Sequence, residues 1–219
     1  MSKVGVCLSG CGFMDGAEIQ EAVLTILALD RAYAKMIFMA PNIPQSSVVN
    51  HQTGDQVEES RNVLIESARI TRGNVSDIAD VYPDDMDALI FPGGFGAALN
   101  LSDFGVNGAS GTVNSDVKRL IHGMVDAGKP VGVICIAPAM AAKALEGFLS
   151  GAELTIGNDT GTAAEMEKLG CFHTECSVHD YITDEKNKIV STPAYMLGPR
   201  ISDVEKGING LVEKVLSMI

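Results

Sequence analysis

Short, wholly apolar segments alternate along the chain with segments whose apolar residues recur at helical spacing. The runs Val4–Ser9, Ala88–Phe91 and Val131–Ile134 are typical of strands that are buried on both faces. Between them, segments such as Glu18–Tyr33 carry apolar residues three and four positions apart, which predicts amphipathic helices. The alternation predicts an α/β fold, with a mostly parallel sheet covered by helices.

The remaining elements follow the same pattern. Further strands are predicted at Lys35–Ala40, Leu154–Ile156, Tyr181–Thr183 and Lys188–Ser191. Further helices are predicted at Glu58–Thr71, Asn114–Ala127, Pro138–Glu146 and Val204–Met218. The segments Pro41–Glu58 and Leu101–Ser115 lack both periods, so they are predicted to be long surface excursions. Nothing marks a boundary, and residues 1–219 are expected to form a single domain.

Charge and composition exclude several classes of partner. The chain has 16 Lys and Arg against 28 Asp and Glu, a net charge of −12, which disfavours nucleic acid and anionic membranes. No apolar run reaches the length of a membrane span, and the N-terminus lacks a secretory signal pattern. Hydrophobic residues make up 46% of the chain, which suffices for a core.

The cysteines indicate a reducing compartment. Five of them, an odd number in a chain this long, do not form a disulfide framework, so free thiols in the cytoplasm are expected. The spacings Cys7-x3-Cys11 and Cys171-x4-Cys176 differ from the two-residue knuckle of structural zinc sites, so no metal is expected.

A cysteine at a predicted strand-to-helix corner is the first candidate for chemistry. Cys135 ends the strand Val131–Ile134, and Pro138 is suited to the first turn of the next helix. The unpaired N–H groups of that turn would favour the thiolate and lower the thiol pKa, which suits a nucleophile. The alternative is a buried strand-end cysteine without chemistry.

Two other segments end at the same predicted edge of the sheet. Gly93 and Gly94, with Ile136, could present backbone N–H groups to an oxyanion, although a glycine-rich turn is also common. Glu18 and Glu21 share one helix face, and a carboxyl group beside the thiol could move a proton. The alternative for both is a solvated acid that complements the helix dipole.

These features together resemble the DJ-1/PfpI superfamily of the class I glutamine-amidotransferase-like fold, and within it the ES1, sigma-cross-reacting-protein-like or ElbB subgroup. The resemblance covers ordered motifs between residues 15 and 196. They are Asp15–Val23, Val49–Gly54, Arg61–Glu66, Pro92–Ala98, Cys135–Met140 and Asn187–Met196.

The resemblance implies a flavodoxin-like three-layer sandwich that forms a homodimer. It implies that Cys135 is the nucleophile, that Glu21 is its acid/base, and that Gly93, Gly94 and Ile136 hold the oxyanion. The implied activity is glyoxalase III-like: a small aldehyde adds to the cysteine as a hemithioacetal and leaves as a 2-hydroxy acid, without metal or organic cofactor. Repair of early glycation adducts is a related possibility.

Departures from the superfamily narrow the expected chemistry. Thr192–Ala194 stands where an amidotransferase would need His-Pro-Glu, and Ile136 follows the cysteine where PfpI-type proteases have histidine, so neither activity is expected. Pocket candidates are His51, Glu18, Asn100 and, as an assisting histidine, His173. Two other hypotheses stay open: a redox sensor or chaperone-like protein that uses the same cysteine, and a subunit of a larger assembly.

Overall fold

Seven strands form one central sheet. The computed structural model describes residues 1–198 and 200–219. The sheet has the order β3-β2-β1-β4-β5-β9-β8, and every neighbouring pair is parallel except β9 and β8. A separate parallel pair, β6 and β7, lies outside it. The strands are β1 (Lys3–Cys7), β2 (Lys35–Ala40), β3 (Ser76–Asp77), β4 (Ala88–Phe91), β5 (Val131–Ile134), β6 (Glu153–Leu154), β7 (Phe172–His173), β8 (Ile182–Asp184) and β9 (Ile189–Thr192).

Eight α-helices connect or follow these strands within the described residues. They are α1 (Ile19–Arg31), α2 (Val63–Ile70), α3 (Phe95–Leu99), α4 (Phe104–Asn107), α5 (Ser115–Asp126), α6 (Ala137–Leu145), α7 (Thr160–Lys168) and α8 (Ile201–Ser217). None of these helices combines the length and the apolar character needed to cross a bilayer.

Alternate strand residues feed two separate apolar clusters, one on each face of the sheet. Val4, Val6 and Ile90 pack with the inner face of α8, against which α1 also packs. Leu89 and Phe91 point the other way, into a cluster that includes α5 and α6. Because both faces of the central strands are covered, these residues are fully buried, and the predicted α/β fold with a mostly parallel sheet is confirmed.

Some observed elements begin at a different residue from the predicted ones, and some short helices were not predicted. The helix predicted from Glu58 begins at Val63, because the Asn62 side chain accepts a hydrogen bond from the Ile65 amide and caps it. The strand predicted at Leu154–Ile156 is the short β6 of the side pair. The pattern missed α3, α4 and α7, which have five, four and nine residues respectively and little amphipathic signal.

The N-terminal cap of α5 provides a test of the argument that a capping side chain sets where a helix begins. Asn114 Oδ1 accepts hydrogen bonds from the amides of Asp116 and Val117, at 3.0 and 3.2 Å. We expect Asn114→Ala to lower the free energy of unfolding by about 1 kcal/mol, because two amides lose their partner. Urea unfolding measures this. The exposed neighbour provides the control, since Ser115→Ala should change stability by less than about 0.5 kcal/mol. Equal effects of the two substitutions would contradict the assignment of the cap.

Candidate active site

Cys135 occupies a strained turn between β5 and α6. Its φ is +61°, in the left-handed region that costs a non-glycine residue about 1–3 kcal/mol. Its amide donates to the Thr192 carbonyl at the end of β9, at 2.9 Å, which holds the turn against the neighbouring strand. The turn directs the side chain toward the carboxyl edge of the sheet, where 7% of the residue stays accessible.

Glu21 is the fully buried acid that contacts this cysteine. It lies in the first turn of α1, and its carboxyl group shares a hydrogen bond with the Cys135 thiol. The amide of Gly93 donates to Oε2 at 3.0 Å, and the amide of Tyr195 donates to Oε1 at 3.2 Å. Three separate segments of the chain therefore hold one carboxyl group against the sulfur.

Burial determines the protonation of this pair. It raises the pKa of Glu21 to about 8, with a further contribution from the charge of Glu18, so the side chain is mostly a neutral acid at pH 7. Burial, and then the charge and hydrogen bond of Glu21, raise the pKa of the Cys135 thiol well above its usual value. The amides of Gly94 and Ile136 act in the opposite direction but are outweighed. The sequence-based expectation of a lowered thiol pKa is therefore wrong for this state of the site.

The glycine loop after β4 has a different role from the one expected. The Gly93 amide is taken by Glu21, so Gly93 does not offer an oxyanion donor here. Gly94 and Ile136 do direct their amides at the Cys135 sulfur, beside the position of a reacting carbonyl. Gly94 has a φ of +95°, and a Cβ there would lie 2.3 Å from the Glu18 nitrogen. Only glycine permits this approach of the two loops.

A cleft of about 310 Å³ gives access to the sulfur. Glu18 lies on its wall and also caps α1, because its Oε2 accepts a hydrogen bond from the Glu21 amide at 2.6 Å. Burial raises the pKa of Glu18, while the amides of Glu21 and Gln20 lower it. Glu18 thus lines the cleft and caps α1, and it is half-buried rather than a fully solvated acid. The lining is Phe13, Glu18, Gly94, Phe95, Cys135, Ile136, Thr162, Tyr195 and Met196.

Three candidates predicted from the sequence lie outside this cleft. His51 packs edge-on against Phe13, with ring centroids 5.5 Å apart, so it supports a wall without lining it. Asn100 is buried and donates to the carbonyls of Ser9 and Asp15, at 2.9 and 2.8 Å, a structural role. His173 lies in β7, where its Nε2 accepts from the Ile156 amide. The expectation that His51, Asn100 and His173 line the pocket is therefore wrong.

The structure adds residues that sequence reasoning did not assign. Tyr195 is the main one, because its backbone amide binds Glu21 and its hydroxyl contacts the Gln20 side chain. It follows β9, so the rule that sites gather at the carboxyl ends of parallel strands could have found it. Phe95 follows β4 and falls under the same rule, whereas Thr162 of α7 carries no comparable signal. Within the described residues, no group of three potential ligand side chains is placed to hold a metal ion.

The mostly parallel sheet with helices on both sides has the fold of DJ-1/ThiJ/PfpI-like proteins. The chain belongs to the ES1 family, because it is 43% identical over 99% of its length to human glutamine amidotransferase-like class 1 domain-containing protein 3, mitochondrial, and covers 83% of that protein. It is 42% identical to the ES1 protein homolog, mitochondrial, of Rattus norvegicus, again over 99% of this chain and 84% of the relative. No protein-family model matches the sequence.

Solved structures agree on the fold. A crystal structure of an isoprenoid biosynthesis protein with amidotransferase-like domain from Ehrlichia chaffeensis is 35% identical, with a TM-score of 0.94 over 100% of this chain and 99% of that one. Glyoxalase III from Candida albicans shares the fold at 16% identity, with a TM-score of 0.61 over 100% of this chain and 97% of that one. The fold is thus shared with a glyoxalase III enzyme.

The relatives correct one expectation. The sparse, unpaired cysteines predicted a cytoplasmic protein, but the human and rat relatives are named as mitochondrial proteins, which overturns that location. Free thiols did not discriminate between these compartments.

The close approach of Gly93 to the pair yields a direct prediction. A Cβ on Gly93 would lie 2.4 Å from the Cys135 Cβ and 2.6 Å from Glu21 Oε2. We expect Gly93→Ala to lower the free energy of unfolding by about 1–3 kcal/mol, because a tightly packed site must move apart. Chemical denaturation measures it. In Gly161→Ala the new Cβ meets only Asp159, at 3.6 Å, and should leave stability intact. A Gly93→Ala protein as stable as this control would disprove the packing argument.

The raised pKa of Glu21 predicts a pH-dependent stability. The folded protein retains a proton up to about pH 8, whereas an unfolded glutamate releases it near its ordinary value of 4.5. Stability from Glu21 is therefore complete below pH 4.5 and is lost as pH rises toward 8. We expect wild type to lose roughly 2–5 kcal/mol relative to Glu21→Gln between pH 5 and pH 8.5, in urea unfolding of both proteins. Parallel pH profiles would show that Glu21 titrates normally.

Proposed function

We propose that this protein is a cofactor-independent, glyoxalase III-like enzyme that converts small 2-oxoaldehydes into 2-hydroxy acids through Cys135. The single observation that supports it best is the hydrogen bond between the Cys135 thiol and a fully buried Glu21 whose pKa is about 8. An acid/base works most efficiently when its pKa is near the working pH. Glu21 can therefore accept and return protons near neutrality.

The first step forms a bond between the Cys135 sulfur and the aldehyde carbon. As the bond forms, the thiol proton passes to the ionised form of Glu21, and the carbonyl oxygen gains the electron pair. The Gly94 and Ile136 amides lie beside the sulfur, where they can stabilise that oxyanion. Protonation of the oxygen by Glu21 gives a neutral hemithioacetal.

The second step moves hydrogen between the two carbons of the substrate. Glu21, ionised again, removes the proton from the sulfur-bearing carbon, and the electron pair passes through an enediol. Return of the proton to the neighbouring carbon gives a thioester with a 2-hydroxyl group. Water then cleaves the thioester, releasing the 2-hydroxy acid and the Cys135 thiol. The oxidation of one carbon balances the reduction of the other, so no external oxidant is needed.

The cleft is less suited to the other activities considered. A redox-sensing thiol is typically ionised and accessible, whereas Cys135 is 7% exposed and its pKa is raised. Amidotransferase chemistry needs a histidine beside the cysteine, and no histidine lines the cleft among the residues that the structure describes. In the proposed enzyme the required base is Glu21, which is already in contact with the thiol.

The proposal is tested by following glycolate formation from glyoxal. We expect Cys135→Ala to abolish turnover and Glu21→Gln to lower kcat/KM by about 10²–10⁴-fold, because the variant lacks a proton acceptor. Cys176→Ala is the matched control, since Cys176 is half-buried and absent from the cleft lining, and it should retain full activity. Wild type and Cys135→Ala with equal rates would eliminate the enzyme hypothesis.

A further inference from the structure

A second compartment of about 610 Å³ adjoins the cleft above Cys135. Phe95, Ile136 and Thr162 line both spaces, so the two lie side by side. Cavities of several hundred cubic ångströms accommodate ligands far larger than a two-carbon dialdehyde. Glyoxal would therefore use only the part of the site nearest the sulfur.

The walls of this second compartment are mainly apolar. Ala98 and Leu99 of α3 and Phe104 of α4 form one side, and Phe95 forms the shared entrance. Phe95 is 50% exposed although it faces the candidate site, so binding of an apolar group would remove its ring from water. These residues provide no partner for a polar substituent, which favours a hydrocarbon arm.

The charged groups of the compartment are all acidic. Asp159 and Glu165 lie on its α7 side, and among the described residues no lysine, arginine or histidine lines either space. Hydrogen bonds from Thr162 lower the pKa of Asp159, and the ion pair with Lys168 lowers that of Glu165, so both are ionised at neutral pH. The described lining therefore presents a carboxylate with two acids and no cationic partner.

The N-terminus of α7 does not provide an anion-binding site in the compartment either. A helix N-terminus often binds anions through its unpaired amides. Here the Asp159 side chain caps the helix by accepting from the Thr162 amide at 2.7 Å, so a carboxylate of the protein already occupies that position.

We propose that the second compartment binds the apolar arm of an uncharged 2-oxoaldehyde while the aldehyde carbon reaches Cys135, and that carboxylate-bearing analogues are rejected. This inference rests on the proposed function and names its substrate class. Phenylglyoxal is the probe for the arm, methylglyoxal is the short reference, and 4-carboxyphenylglyoxal carries the excluded charge.

The test compares kcat/KM for these three compounds. We expect kcat/KM for phenylglyoxal to be about tenfold higher than for methylglyoxal, because the apolar compartment buries the ring. We expect kcat/KM for 4-carboxyphenylglyoxal to be lower than for phenylglyoxal by at least the same factor, because its carboxylate would lie beside two acids. In Gly161→Leu, the new side chain enters the compartment from a position whose Cβ meets only Asp159, at 3.6 Å. The ratio of phenylglyoxal to methylglyoxal should fall to about one in this variant.

Ala164→Leu is the matched control. Ala164 is exposed on the same helix and does not line the compartment, so all three rates should equal those of wild type. A phenyl preference that survives Gly161→Leu, or equal rates for the charged and uncharged rings, would overturn the inference.

A binding experiment separates this inference from the proposed function. Acetophenone carries the ring but no aldehyde, and it should slow alkylation of Cys135 by iodoacetamide in wild type and in Ala164→Leu, but not in Gly161→Leu. Protection without turnover of any aldehyde would reject the proposed function and support the compartment. Turnover of methylglyoxal without phenyl preference or protection would reject the compartment and support the function.

Discussion

The hydrogen bond between the buried Glu21 carboxyl group and the Cys135 thiol is the constraint on which the rest of the site depends. An acid with no solvent access must be neutral or be satisfied by donors, and here two backbone amides and the thiol surround it. Each partner comes from a different part of the chain: the loop after β4, the turn after β5 and the turn after β9. Since all three follow parallel strands, they meet at one edge of the sheet.

This constraint explains the use of glycine and of backbone strain around the cysteine. The amide of Gly93 can reach Glu21 only if no Cβ stands between that loop and Cys135. The left-handed φ of Cys135 is maintained because its own amide binds the end of β9 and α6 begins two residues later. The surrounding contacts stabilise this left-handed conformation, which a cysteine in an isolated turn would avoid. The strain places the sulfur at the base of the cleft.

Much of the site could be predicted because residues that follow parallel strands lie at the same edge of the sheet. The cysteine at the end of β5, the glycines after β4 and the glutamate in α1 are each next to an apolar run, and the rule for parallel sheets brings them together. His173 shows where such reasoning ends. It lies in β7, a two-residue strand that no apolar run marks in the sequence, and β7 pairs only with β6 in a separate small sheet.

Hydrophobic period and residue order were enough to predict the layers and the parallel sheet, and they directed attention to the segments that carry Cys135 and Glu21. The pairing of these two residues was implied only by the family resemblance. Tertiary structure alone decided the protonation of that pair and the target of the Gly93 amide. Helix dipoles, visible from the sequence, favour an ionised sulfur, but desolvation is set by how many atoms surround a group, and here it dominates. The shape of the cleft was decided in the same way, since Phe13, Phe95 and Thr162 are far apart in sequence and meet only in the folded protein.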